Sequence, residues 1–135
     1  MKLCPINPPS ANIPGISQGV IVDGGNLLLL SGHVPMRRDG SVVAANLEAQ
    51  LEQVLENMKE TLAAAGGDFR NVARLTIYVR NYQPDQLGVI RTVRDRYIDA
   101  ACPPASALIG VASLFHPDVL VEIDAIAVVP SGVRF

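Results

Sequence analysis

The chain has 135 residues, with 11 lysines and arginines against 13 aspartates and glutamates, for a net charge of −2. That length suits one domain spanning residues 1–135, and so small a charge lacks the basic surface of a dedicated nucleic-acid binder, so DNA is not an expected partner. Hydrophobic residues make up 49% and charged residues only 18%, against about 25% charged in an average soluble domain, a deficit that points to surface covered by other protein.

Apolar runs such as Leu27 to Leu30 fall far short of the roughly 20 residues of a membrane-spanning helix. Met1 to Pro5 is one lysine followed by a proline-rich stretch without the apolar core of a signal peptide, so export is not expected. Cys4 and Cys102 form neither a metal-ligand spacing nor a disulfide framework, which fits free thiols in the cytoplasm. His33 and His116 have no partner at metal-ligand spacing, and no metal or other cofactor is expected.

In chain order, Pro5, Pro8, Pro9 and Pro14 predict an extended arm up to residue 17 without helix or strand periodicity. Val20–Val22 and Leu27–Leu30, around Asp23-Gly24-Gly25-Asn26, predict a β-hairpin with positive-φ glycines in its turn. A short strand is expected at Ser41–Val43. Leu47, Leu51, Val54, Leu55, Met58 and Leu62 then recur at helical spacing, with Asn46 as N-cap and Gly66 or Gly67 as the stop. Val72–Val79 alternates as a strand, with Ala73, Leu75, Ile77 and Val79 on one face.

A second helix is expected from Asp85 to about Ile98, with Leu87, Ile90, Val93 or Arg94, and Tyr97 on one face. Pro103-Pro104 interrupts the chain, and a strand resumes from Ser106 to Ala112. The last strand, Val119–Val129, has one wholly apolar face, whereas the other alternates Leu120, Glu122, Asp124, Ile126 and Val128. Two carboxylates among large aliphatics must be solvated or paired by something outside the strand. Two helices for the whole sheet predict an α+β two-layer sandwich with both helices on one face and the other face left for subunit contact.

Several segments coincide with one family. Ser31-Gly32-His33-Val34-Pro35, the leucine-rich helix ending in Ala63-Ala64-Ala65-Gly66-Gly67, Thr76-Ile77-Tyr78-Val79, Pro104-Ala105 with Val111-Ala112 and Leu114, and Val121-Glu122-Ile123-Asp124-Ala125-Ile126-Ala127 resemble, in order and spacing, the motifs of the RidA (YjgF) family. The resemblance implies a chorismate-mutase-like fold with a mixed sheet of about six strands and two helices. It also implies a homotrimer with small-molecule clefts between subunits, and a deaminase-type hydrolysis of enamines and imines to 2-oxo acids and ammonia. A non-catalytic metabolite-binding or regulatory trimer is the alternative, and an endoribonuclease a further one.

Carried over position by position, the glutamate that positions water falls on Glu122, and the strand-end residues lining the cleft fall on Ser31 and Gly32. The substrate-clamping arginine is Ser106 here, the nearby cysteine is Leu108, the aromatic residue of the arm is Ile16, and the asparagine of the second helix is Ile90 or Val89. A serine hydroxyl cannot replace the bidentate fork of an arginine, which leaves a related substrate that lacks the carboxylate, or one held by Arg37, Arg38 or Arg80 instead. Arg91, Arg94 and Arg96 read as a solvated helix face. His116 is a candidate cleft residue because imidazole carries protons near neutrality. The expected site is therefore catalytic Glu122 with Ser31, Gly32, Ser106 and His116 binding substrate. Asp124 is expected to be structural.

Overall fold

A computed structural model describes residues 1–11 and 13–132. Six strands and two helices follow in the order β1 (Lys2–Ile6), β2 (Gly19–Asp23), β3 (Asn26–His33), α1 (Leu47–Ala64), β4 (Val72–Arg80), α2 (Leu87–Asp95), β5 (Ala105–Val111) and β6 (Val121–Val129). β3, β6, β4 and β5 form a mixed four-stranded sheet in that order, in which only the β4–β5 pair is parallel. Both helices pack on one face of this sheet, giving the expected α+β sandwich. The six strands are nonetheless divided, because β1 and β2 pair with each other in a separate antiparallel ribbon.

That ribbon corrects two expectations. The arm contains a strand after all, with Pro5 inside it, which is tolerated because β1 is an edge and its missing N–H breaks no interior ladder. The predicted hairpin is instead a corner between two sheets. Gly24 and Gly25 take φ of +73° and +85°, as the turn requires, but β2 pairs back to β1 while β3 pairs to β6. The strand expected at Ser41–Val43 reduces to one bridge between Met36 and Val42.

α1 starts where Asn46 Oδ1 accepts the Ala49 amide at 2.9 Å, and ends at Ala65, where Gly66 turns with φ of +81°. Its apolar stripe, Leu51, Val54, Leu55, Met58 and Leu62, is fully buried. It packs against Leu75, Ile77 and Val79 of β4 and against Val121, Ile123, Ala125 and Ala127 of β6, so the alternation of both strands is obeyed. α2 is shorter than expected. A single tight turn at Pro84–Gln86 precedes it, and past Asp95 the chain continues only as hydrogen-bonded turns to Ile98.

Two amides on α1 pin the loops around the sheet. Gln50, wholly buried, donates to the carbonyls of Val43 and Asp118 at 3.0 and 2.7 Å and accepts the Leu120 amide at 2.8 Å. Asn57 donates to the carbonyls of Val34 and Met36, both at 2.9 Å. The first fixes the entry to β6, the second the exit from β3.

The face away from the helices is open. Leu27 and Leu29 of β3 are 69% and 72% exposed, and Ile109 and Ile126 are 42% and 40% exposed. Val128 departs from this pattern, being buried where Gly25 and Met1 lie against it. No helix among the described residues is long and apolar enough to cross a membrane.

Candidate functional site

β6 carries Glu122 and Asp124 onto the open face, opposite Tyr78 and Thr76 of β4. Their environments differ. Tyr78 donates its hydroxyl to Asp124 Oδ2 at 3.1 Å, and that hydrogen bond, more than burial, raises the Tyr78 pKa above its usual value. Asp124 is thereby a partnered, structural carboxylate. Glu122 makes no hydrogen bond or ion pair among the described residues. Partial burial, and secondarily the charge of Asp124, push its carboxyl above the ordinary carboxylate range.

Glu122 rests against the end of β3. There the pairing of β3 with β6 slips between Leu30 and His33, and the resulting bulge brings the Gly32 backbone onto the carboxylate. A Cβ at Gly32 would lie 2.7 Å from Glu122 Cδ and closer still to Oε2. Glycine is required here for close approach, since its φ is not left-handed. Ser31 is exposed beside it. His33 turns the other way: its Nδ1 meets the Ser31 carbonyl at 2.7 Å and its Nε2 meets Thr61 Oγ1 of α1 at 2.7 Å. A carbonyl can only accept, so Nδ1 carries hydrogen, and the ring clamps the bulge to α1.

The remaining expected residues lie elsewhere in one chain. Ser106 pairs with Leu75 and so faces the helices, on the opposite side of the sheet from Glu122. It lines a cavity of about 140 Å³ with Ile16, Ile77, Ile90, Arg94 and Leu108. His116 sits in the β5–β6 loop, where its Nδ1 accepts the Asp118 amide at 3.1 Å, and no hydrogen bond joins it to Glu122 among the described residues. Ser31, Gly32 and Glu122 are brought together; Ser106 and His116 are not.

The arginines rearrange the expectation further. Arg37 donates to Ser41 and Arg38 to Glu60 on exposed loops, and Arg80 donates to the Pro117 carbonyl. Arg96 pairs with Glu52 and Glu48 at the surface. Arg94, expected on a solvated face, is only 6% exposed. Its place between Ile90 and Tyr97 on the apolar stripe was the signal. A wider groove of about 580 Å³, lined by Glu56, Asp68, Arg70, Arg96 and Asp99 among others, mixes both signs of charge and holds none of the expected site residues. Among the described residues no three His, Cys, Asp or Glu side chains converge as metal ligands.

The family model described as endoribonuclease L-PSP matches residues 10–129. The chain belongs to the RidA family. Among its relatives, protein DfrA of Myxococcus xanthus is 41% identical over 113 residues, 83% of each chain. The 2-iminobutanoate/2-iminopropanoate deaminase of Escherichia coli is 32% identical over 124 residues, 90% of this chain and 92% of that one. The crystal structure of the Rid-family protein YyfB from Yersinia pestis superposes with a TM-score of 0.86 at 34% identity, covering 96% of this chain and 100% of that one.

Proposed function

We propose that this chain hydrolyses small imines and enamines to 2-oxo acids and ammonia, at clefts between the subunits of a cytoplasmic homotrimer. The observation that carries the reading is Glu122, a partly buried carboxylate with a raised pKa, unpartnered among the described residues and seated against the Gly32 bulge. The deaminase relative from Escherichia coli, at 32% identity, supports the reaction class. The apolar open face, with Leu27 and Leu29 largely exposed, supports the assembly, because so much aliphatic surface calls for a partner.

In the proposed reaction a water bound by Glu122 adds to the carbon of the protonated imine, whose C=N electron pair moves onto nitrogen, and the carboxylate takes the proton that water loses. A raised pKa makes the carboxylate a stronger base. The proton passes to the nitrogen of the carbinolamine, the C–N electron pair leaves with ammonia, and an oxygen lone pair closes the new carbonyl as the hydroxyl proton is lost. An enamine first gains a proton at its terminal carbon. Ser31 and the Gly32 backbone serve as hydrogen-bonding groups beside Glu122. Ser106, from the opposite sheet face of a neighbouring copy, and His116 complete the proposed lining.

The test generates 2-aminoacrylate in the presence of semicarbazide, with which it forms a semicarbazone. Hydrolysis competes for the imine, so wild type is expected to lower the semicarbazone signal and Glu122→Gln to restore it. No effect of wild type, or an equal effect of Glu122→Gln, rejects the reading. A non-catalytic binding trimer is favoured by one observation, that Ser106 stands on β5 facing a pocket away from Glu122. A 2-oxo acid that raises Tm without turnover would select that alternative.

A further inference from the structure

Cys4 and Cys102 share no motif, yet the fold makes them neighbours. Cys4 lies on β1 and Cys102 in the bend before Pro103, and both are free, half-buried thiols. The Cys102 thiol donates to the Leu3 carbonyl at 3.7 Å. That carbonyl belongs to the planar peptide joining Leu3 to Cys4, which puts the Cys4 Cα within about 6.5 Å of the Cys102 sulfur. Disulfide-linked residues have Cα atoms about 4.4–6.8 Å apart, a separation that rotation about χ1 and a small movement of the bend can reach. Burial first, then the charges of Asp99 and Cys4, push the Cys102 thiol above its usual pKa, and the contribution of Cys4 reflects the same closeness.

The loop that carries Cys102 is a place where the amino-terminal segments meet the main sheet. Among the described residues β1 and β2 pair only with each other, and a two-stranded ribbon alone is marginal in water. The arm reaches the same loop through Ser17, whose amide and hydroxyl donate to the carbonyls of Pro104 and Pro103 at 3.1 and 2.6 Å. Ser17 also bridges to Ala105, the first residue of β5. A covalent bond at Cys102 would therefore fix the ribbon to a point that already holds the arm.

We propose that Cys4 and Cys102 are an oxidisable pair, and that hydrogen peroxide converts them to a reversible disulfide locking the β1–β2 ribbon onto the entry to β5. The raised Cys102 thiol is protonated near neutral pH, so Cys4 takes the first step. Its thiolate attacks the peroxide: an S–O bond forms, the O–O bond breaks, and the leaving hydroxide takes up the proton the thiol released, as water. Cys102 then attacks the sulfenic sulfur. The S–S bond forms, the S–O bond breaks, and hydroxide departs with the Cys102 proton as a second water. Each sulfur gives up one electron and the peroxide gains two. The cysteines stand far apart in sequence, so the bond closes a long loop and removes much freedom from the unfolded state.

Treating the full-length protein with a slight excess of hydrogen peroxide tests it, read by intact mass, thiol titration in guanidinium, non-reducing peptide maps and thermal unfolding. Wild type is expected to lose two hydrogens per chain and both titratable thiols, and to yield one linked peptide pair joining Cys4 to Cys102. Its Tm should rise by about 5 °C or more, and dithiothreitol should reverse every change. Cys4→Ser and Cys102→Ser, each with a single thiol, should show no such rise. The wild-type measurement is decisive whether or not either variant folds. Wild type that keeps both thiols, carries either one on to sulfinic acid, or forms the bond between two chains overturns the assignment. A bond within one chain that leaves Tm unchanged or lower overturns it as well.

Discussion

Substituting Gly32 by alanine tests the proposed Glu122 site with one methyl group. A Cβ at position 32 would lie 2.7 Å from Glu122 Cδ, whereas carbon atoms rest at about 3.5–4.0 Å. The carboxylate must therefore retreat by about 1 Å, since the backbone of the bulge is held through the His33 ring by α1 and the glutamate side chain is the softer partner. Glu122 gives up no protein hydrogen bond among the described residues when it moves, so the stability cost is small, within about 0.5 kcal/mol as for an ordinary surface change. A misplacement of that size at a reacting group costs on the order of 10²-fold, or about 2.7 kcal/mol of transition-state stabilisation. The expected result in the semicarbazide competition assay is a fall of about 10²-fold in kcat/KM with Tm nearly unchanged. Adding Glu122→Asp to the Gly32→Ala protein shortens the side chain by one methylene and should recover part of the loss, so the two changes are non-additive. Gly32→Ala protein retaining kcat/KM within threefold of wild type would refute the reasoning, as would strict additivity.

The Glu122 carboxyl titrates above its unfolded value, so the folded state holds the proton more tightly, and stability present below the unfolded pKa is lost as pH rises through the folded one. Glu122→Gln cannot ionise; it should raise Tm at pH 7 and lose that advantage below about pH 4, which calorimetry across pH will show. Gln50→Leu keeps roughly the same volume but strands the Leu120 amide and the Val43 and Asp118 carbonyls, and should cost about 2–4 kcal/mol by urea unfolding. Leu29→Glu places a charge on the open face, and light scattering should then report monomer where the wild type, under the proposed assembly, is expected to be a trimer. Stringently purified protein should leave single-stranded RNA intact on a denaturing gel, since a net charge of −2 gives little to hold a phosphate backbone.

The sequence by itself determined the helices, the strands of the main sheet and their inward faces, because a single period of 3.6 or 2 is enough to sort Leu51 from Glu52 or Leu75 from Thr76. It also singled out Glu122, since a carboxylate on a largely aliphatic strand face violates the local pattern. Which strands would pair was not written locally. Val20–Val22 and Leu27–Leu30 are close in sequence and look like hairpin partners, yet β1 and β6 capture them, and that choice depends on what lies across each edge. The same holds for the polar side chains. Gln50, Asn57 and Arg94 lie on helices among charged neighbours, and only packing decided that the first two would staple buried carbonyls and that the third would be sealed under the arm. Burial is a property of the whole surrounding volume, so although the Ile90–Tyr97 stripe hinted at it, tertiary structure decided that Arg94 is sealed while Arg91 and Arg96 stay exposed, and set Ser106 and Glu122 on opposite faces of one sheet.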